Sequence, residues 1–99
     1  MSALGIDFQD GFASDQVLVR VGDRDVYRKD GVTTNLAISR ADAAQVEVGD
    51  GPVDVHIAVP SRGLTRTFRV DPSASPFLGV SIEQDGLNVR TSSEPFYYL

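Results

Sequence analysis

A single histidine, His56, stands two residues from Asp54 in "VDVHIAV", and an Asp-x-His pair is the one arrangement in this chain that could orient an imidazole for proton transfer. Catalysis would also need a nucleophile and an oxyanion hole at a cleft. No G-x-S-x-G, glycine-rich phosphate loop or H-E-x-x-H supplies them. One His and no Cys exclude a typical zinc site, thiolate chemistry and disulfides. Calcium asks only for clustered oxygens, and acidic loops offer Asp23 with Asp25 and Asp50 with Asp54, besides Asp7, Asp10 and Asp15. Asp beside Gly is also ordinary turn chemistry, so these are weak calcium candidates and no cofactor is expected.

Sugar recognition calls for aromatic rings on a sheet face or around a pocket. There is no Trp, and Phe68 and Phe77 read as core. Tyr27 lies among Arg20, Arg24 and Arg28, but Asp23, Asp25 and Asp30 neutralise that cluster. Fourteen acidic side chains against nine basic ones give a net charge of −5, which disfavours nucleic acid and anionic lipid as partners. Eight of the nine basic residues are Arg, which reads as a GC-rich, bacterial-like coding bias.

The C-terminus is unusual. "PFYYL" places Phe96, Tyr97 and Tyr98 in the last four positions, ahead of Leu99. Aromatic residues with a polar handle suit interfaces, so Pro95, Phe96, Tyr97, Tyr98 and Leu99 are the interface candidates. The leading expectation is a last short strand with Phe96 and Tyr98 inward. A seal against a second copy and a free peptide read by a partner are the alternatives. Arg66 joins the candidates because parity puts it on the inner face with Leu64 and Phe68, at a rim where its head reaches water.

The elements that must carry these residues are strands. Turn signals recur at "GDRD" (22–25), "KDG" (29–31), "GDGP" (49–52), "SRG" (61–63), "DPSASP" (71–76) and "QDG" (84–86). Alternating apolar residues lie between them: Val17, Val19 and Val21; Val32, Thr34, Leu36 and Ile38; Val53, Val55, Ile57 and Val59; Leu78, Val80 and Ile82; Leu87 and Val89. A loop over 60–63 sets Val59 opposite Leu64, Ile57 opposite Arg66, Asp54 opposite Arg69 and His56 opposite Thr67. An Asp50-Gly51 turn sets Val48 opposite Val53 and Glu47 opposite Asp54. An Asp85-Gly86 turn sets Ile82 opposite Val89 and Ser81 opposite Arg90. Residues 39–45 form at most one helical turn.

The fold class is therefore all-β, a small antiparallel sandwich of seven to eight short strands in a single domain, 1–99, with 1–15 as a loosely ordered arm. Its plan resembles immunoglobulin-like and transthyretin-like sandwiches in architecture, without the Cys–Trp–Cys core of antibody domains. The expected function is non-enzymatic binding or assembly, through protein contact or self-association at an edge strand or the aromatic tail. A calcium- or carbohydrate-binding module using the acidic loops is the alternative, and a small enzyme or enzyme subunit using His56 and Asp54 comes after it. "MSALGIDFQDGF" has no basic n-region and no apolar run, which points to the cytosol, a trimmed secreted domain being the alternative.

Overall fold

The computed structural model describes residues 2–84 and 86–96. Two four-stranded sheets pack face to face. Sheet I has the order β4 (Asp42–Val48), β1 (Ser2–Phe8), β7 (Phe77–Glu83), β8 (Gly86–Ser92). Sheet II has the order β3 (Arg24–Val32), β2 (Asp15–Val21), β5 (Val53–Val59), β6 (Leu64–Val70). Alternation decides which residues meet between them. Leu4, Ile6, Phe8, Leu78 and Val80 from sheet I are fully shielded against Val17, Val55, Ile57 and Val59 from sheet II. Each such side chain contributes about 1.5–3 kcal/mol by leaving water.

The β5–β6 hairpin has the expected register, with Val59 opposite Leu64, Asp54 opposite Arg69 and His56 opposite Thr67. A 3-10 turn at Pro60–Arg62, ended by Gly63 at φ 66°, makes the reversal. Elsewhere the topology departs from the local reading. Residues 2–8 are no arm: they form the strand between β4 and β7, and Leu4, Ile6 and Phe8 are buried. Their pairing with β7 is parallel, so the sandwich is mixed.

With β1 in place, β4 has a partner other than β5. Leu4 lies opposite Val46 and Ala3 opposite Glu47, and "GDGP" carries the chain across to the other sheet instead of closing a hairpin. Apolar faces are satisfied either way, so the pattern within 46–55 is equally consistent with a local hairpin. The β7–β8 hairpin turns one residue earlier than Asp85-Gly86. Glu83 faces Gly86, so Ile82 faces Leu87, Val80 faces Val89, and Gly79 faces Arg90. A shift of two residues preserves faces and therefore leaves no trace in the pattern.

"KDG" does not end a strand either. β3 runs through it, and Gly31 at φ 69° accommodates a bulge opposite Asp15–Val17. Past Val32 the chain leaves the sheet. Thr34 is buried because its hydroxyl donates to Gln9 O (2.6 Å) and accepts from Phe12 N–H (3.0 Å). Leu36, expected on the same apolar face, is 88 % exposed at the tip of a turn closed by the Asn35–Arg40 bridge. Residues 42–45, within the span expected to turn helically, belong to β4.

Facing edge strands are joined across both open sides. On one side Tyr27 stacks on Phe8 (centroids 4.8 Å apart) and donates to Asp42 Oδ2 at 2.6 Å. Lys29 Nζ donates to the same oxygen (3.2 Å), and Arg24 Nη2 to Glu47 O (2.8 Å). On the other side Arg66 Nη1 donates to Leu87 O (3.1 Å). Arg66 thus lies at the rim, as parity requires, with its head on a β8 carbonyl.

Candidate ligand-binding face

Register across sheet I generates the site. Its outward residues lie in rows: Gln45–Gly5–Phe77–Ser92, then Ala43–Asp7–Gly79–Arg90. Two of these positions are glycines in mid-sheet, where a strand ordinarily carries a packing side chain. Each is covered by a neighbour. The Phe77 ring leans over Gly5, so that a Cβ there would sit 3.1 Å from Phe77 Cδ1. The Gln9 amide lies on Gly79, where a Cβ would sit 2.8 Å from Gln9 Oε1. Gln9 is only 4 % exposed, and Arg90 Nη2 donates to its Oε1 at 2.9 Å.

Phe77 is therefore not core. Its neighbour Leu78 pairs with Ile6 and points inward, which turns Phe77 outward. Between Phe77 and the C-terminal segment runs an open groove of about 390 Å³, floored by Gly5 and Ala43 and walled by Pro95 and Phe96. Asp7, Arg40 and Gln45 add one carboxylate, one guanidinium and one amide. The Arg90 guanidinium carbon lies 5.2 Å from the Phe96 ring centroid, within cation–π range. Phe96 is half-buried on this outer face and outside any strand, so the inward placement expected for it fails. β8 ends at Ser92, and Ser92 Oγ donates to Glu94 O (2.7 Å) as the chain turns back. Pro95 is exposed. Tyr97, Tyr98 and Leu99 lie outside the described residues.

The outer face of sheet II is of another kind. Asp54 accepts from Arg69 Nε (3.0 Å), Asp25 from Arg20 Nε (3.0 Å), and His56 Nδ1 shares a 2.6 Å hydrogen bond with Thr67 Oγ1. The hydrogen bond and charge of Arg69 hold the Asp54 carboxyl below the usual range. Among the described residues no hydrogen bond joins Asp54 to His56, so the pair singled out for proton transfer is not assembled.

The acidic loops do converge. The turn holding Asp23 and the start of β5 with Asp54 border one depression of about 520 Å³, and Gly22 N–H donates to Asp54 O (2.9 Å). Arg24 lines the same depression, Arg69 occupies Asp54, Arg20 occupies Asp25, and Asp50 accepts from Ser2 Oγ at 3.1 Å. Among the described residues no three acidic or imidazole side chains gather closely enough to hold a metal ion. Asp23, Asp25, Asp50 and Asp54 do not form one such group.

One ion pair has no signal in the sequence. Asp15 is 3 % exposed, and Arg62 grips it with two bonds, Nε to Oδ1 (3.0 Å) and Nη2 to Oδ2 (2.9 Å). Ser61 Oγ (2.9 Å) and Ala13 N–H (2.8 Å) complete its partners, while Arg62 also donates to Gly11 O (3.0 Å). Burial pushes this carboxyl up, but the bonds from Arg62, Ala13 and Ser61 together with the Arg62 charge outweigh it and leave it below the usual range. The pair ties the β1–β2 loop to the turn after β5, a structural role. Its members stand 47 positions apart, so no local pattern announces it.

Comparison with protein-family models, curated proteins and solved structures finds no match for this chain. Among the described residues no helix is long and apolar enough to cross a membrane.

Proposed function

We propose that this protein is a non-enzymatic binding module whose contact surface is the outer face of sheet I. The observation that carries the reading is the groove beside Phe77 and Phe96, an aromatic-walled recess on the outer face of sheet I. Strand addition at an edge is the weaker route. The β4 and β8 edges each have a carbonyl taken by an arginine, and β3 and β6 carry Arg24, Arg28, Lys29, Arg66 and Arg69, the charges that discourage edge pairing.

A second reading, self-association, draws on Leu36. Among the described residues it is the large hydrophobic residue most plainly offered to solvent, on a turn where Ala37 N–H donates to Asn35 Oδ1. A solution mass that stays monomeric up to high concentration removes that reading.

The test of the main reading fills the groove. A thermal-shift screen of small molecules and oligosaccharides is run on the protein and on Ala43→Trp, with Thr67→Trp on sheet II as control. Ligands that raise the Tm of the protein and of the control should leave Ala43→Trp unmoved. Equal stabilisation of all three, or no stabilising ligand, overturns the proposal.

A further inference from the structure

We propose that the groove on sheet I takes a neutral saccharide, one or two pyranose rings of a longer chain; this rests on that face being the contact surface. A pyranose has an apolar C–H face and a rim of hydroxyls that both donate and accept. A site for it needs a ring to lie against and planar polar groups around the edge. The groove supplies both. Phe77 and Phe96 stand on either side of it, and Asp7, Arg40 and Gln45 bring a carboxylate, a guanidinium and an amide to the same recess.

Size and charge narrow the class. At about 390 Å³ the groove falls at the low end of the roughly 300–1,000 Å³ of small-ligand clefts, enough for one or two rings. One acid and one base leave its lining without net charge, so nothing selects an anionic sugar. Its open form suits a chain that enters and leaves along the surface. Phe96 is also prepared for the role: Arg90, which does not line the groove, lies over one face of the ring, and Arg90 is in turn fixed to the buried Gln9. In the sequence, carbohydrate binding stands only as an alternative, because there is no Trp and because Phe68 and Phe77 read as core; the register of β1 with β7 removes the objection from Phe77.

The experiment is an amide chemical-shift titration of the full chain with cellotetraose, maltotetraose and chitotetraose, and with a heparin tetrasaccharide as the anionic contrast. At least one neutral saccharide should move the amides of Gly5, Gln45 and Phe77, with an affinity that salt leaves unchanged. Phe96→Ala lies beyond the last strand and should weaken binding about tenfold without altering the melt. Gln45→Ala should weaken it about threefold, the scale of one neutral hydrogen bond. Shifts with heparin alone overturn the neutral class. If other ligands respond to Ala43→Trp but no saccharide moves these amides, the saccharide proposal is wrong and the face stands. If nothing responds to Ala43→Trp, both are wrong.

Discussion

The outer face of sheet II is tiled with partners in water: Asp54 with Arg69, Arg20 with Asp25, His56 with Thr67. The outer face of sheet I uses small residues and fills the space above them, Phe77 over Gly5 and Gln9 over Gly79, with Arg90 and Phe96 on top. Both faces obey the same alternation, and both contain polar groups. What differs is whether water still reaches those groups. An exposed pair exchanges one hydration for another and contributes little, whereas a shielded group must keep its partner or lose stability. The same contrast separates Asp15–Arg62, whose carboxylate is buried, from Asp54–Arg69 on the surface.

The widest gap should open between those two pairs. Asp15→Asn keeps the shape but removes the charge that Arg62 and Ala13 address; Arg62 can still reach water, so the loss should be about 2–3 kcal/mol in urea unfolding at neutral pH. The sign of its pH dependence follows. A carboxyl held below its ordinary value when folded stabilises above the ordinary carboxylate range, and that contribution disappears as pH falls through the folded value. The acid limb of the stability curve should therefore be shallower in Asp15→Asn than in the parent, and parallel limbs would sink the assignment.

On sheet I, Gly79→Ala drives a methyl into the Gln9 amide and should cost about 1–2 kcal/mol; the displaced amide should also release Arg90, seen as a shift of its guanidinium Nε–H resonance. Gly5→Ala meets only the edge of the Phe77 ring, which can swing away, so the cost should stay below about 1 kcal/mol while the groove floor rises. The smallest effect belongs to sheet II: Asp54→Asn should leave the urea midpoint where it was, because both Asp54 and Arg69 are open to solvent. A midpoint shift as large as that of Asp15→Asn would erase the distinction between the faces.

Legibility follows sequence separation. The β5–β6 hairpin can be read because a four-residue loop joins complementary stripes, and sliding by one residue would turn Val55 and Ile57 to water. The β7–β8 register differs from the expected one by two residues because that slip costs no burial. β4 pairs away from its neighbour in sequence since β1, with Leu4, Ile6 and Phe8 spaced alternately, offers from far up the chain the same apolar stripe as β5 does next door. The candidate face is the least legible part. Phe77 resembles any core phenylalanine until Leu78 is known to pair with Ile6, and Gly5 and Gly79 carry no signal beyond being glycines within strands.

Taken alone, then, the sequence determined that this is an all-β chain, which residues share a face in β2, β5, β6, β7 and β8, and where the β5–β6 hairpin turns. Those properties are local: period-two alternation and turn chemistry act over a few residues. Only the tertiary structure decided that β1 enters sheet I parallel to β7, that the two sheets are joined at their rims by Tyr27 with Asp42 and by Arg66 with Leu87 O, and that one outer face is hydrated while the other holds an aromatic groove. Alternation is satisfied by any partner with a matching stripe. The choice among such partners is made by the burial of the whole core, which couples residues far apart in the chain.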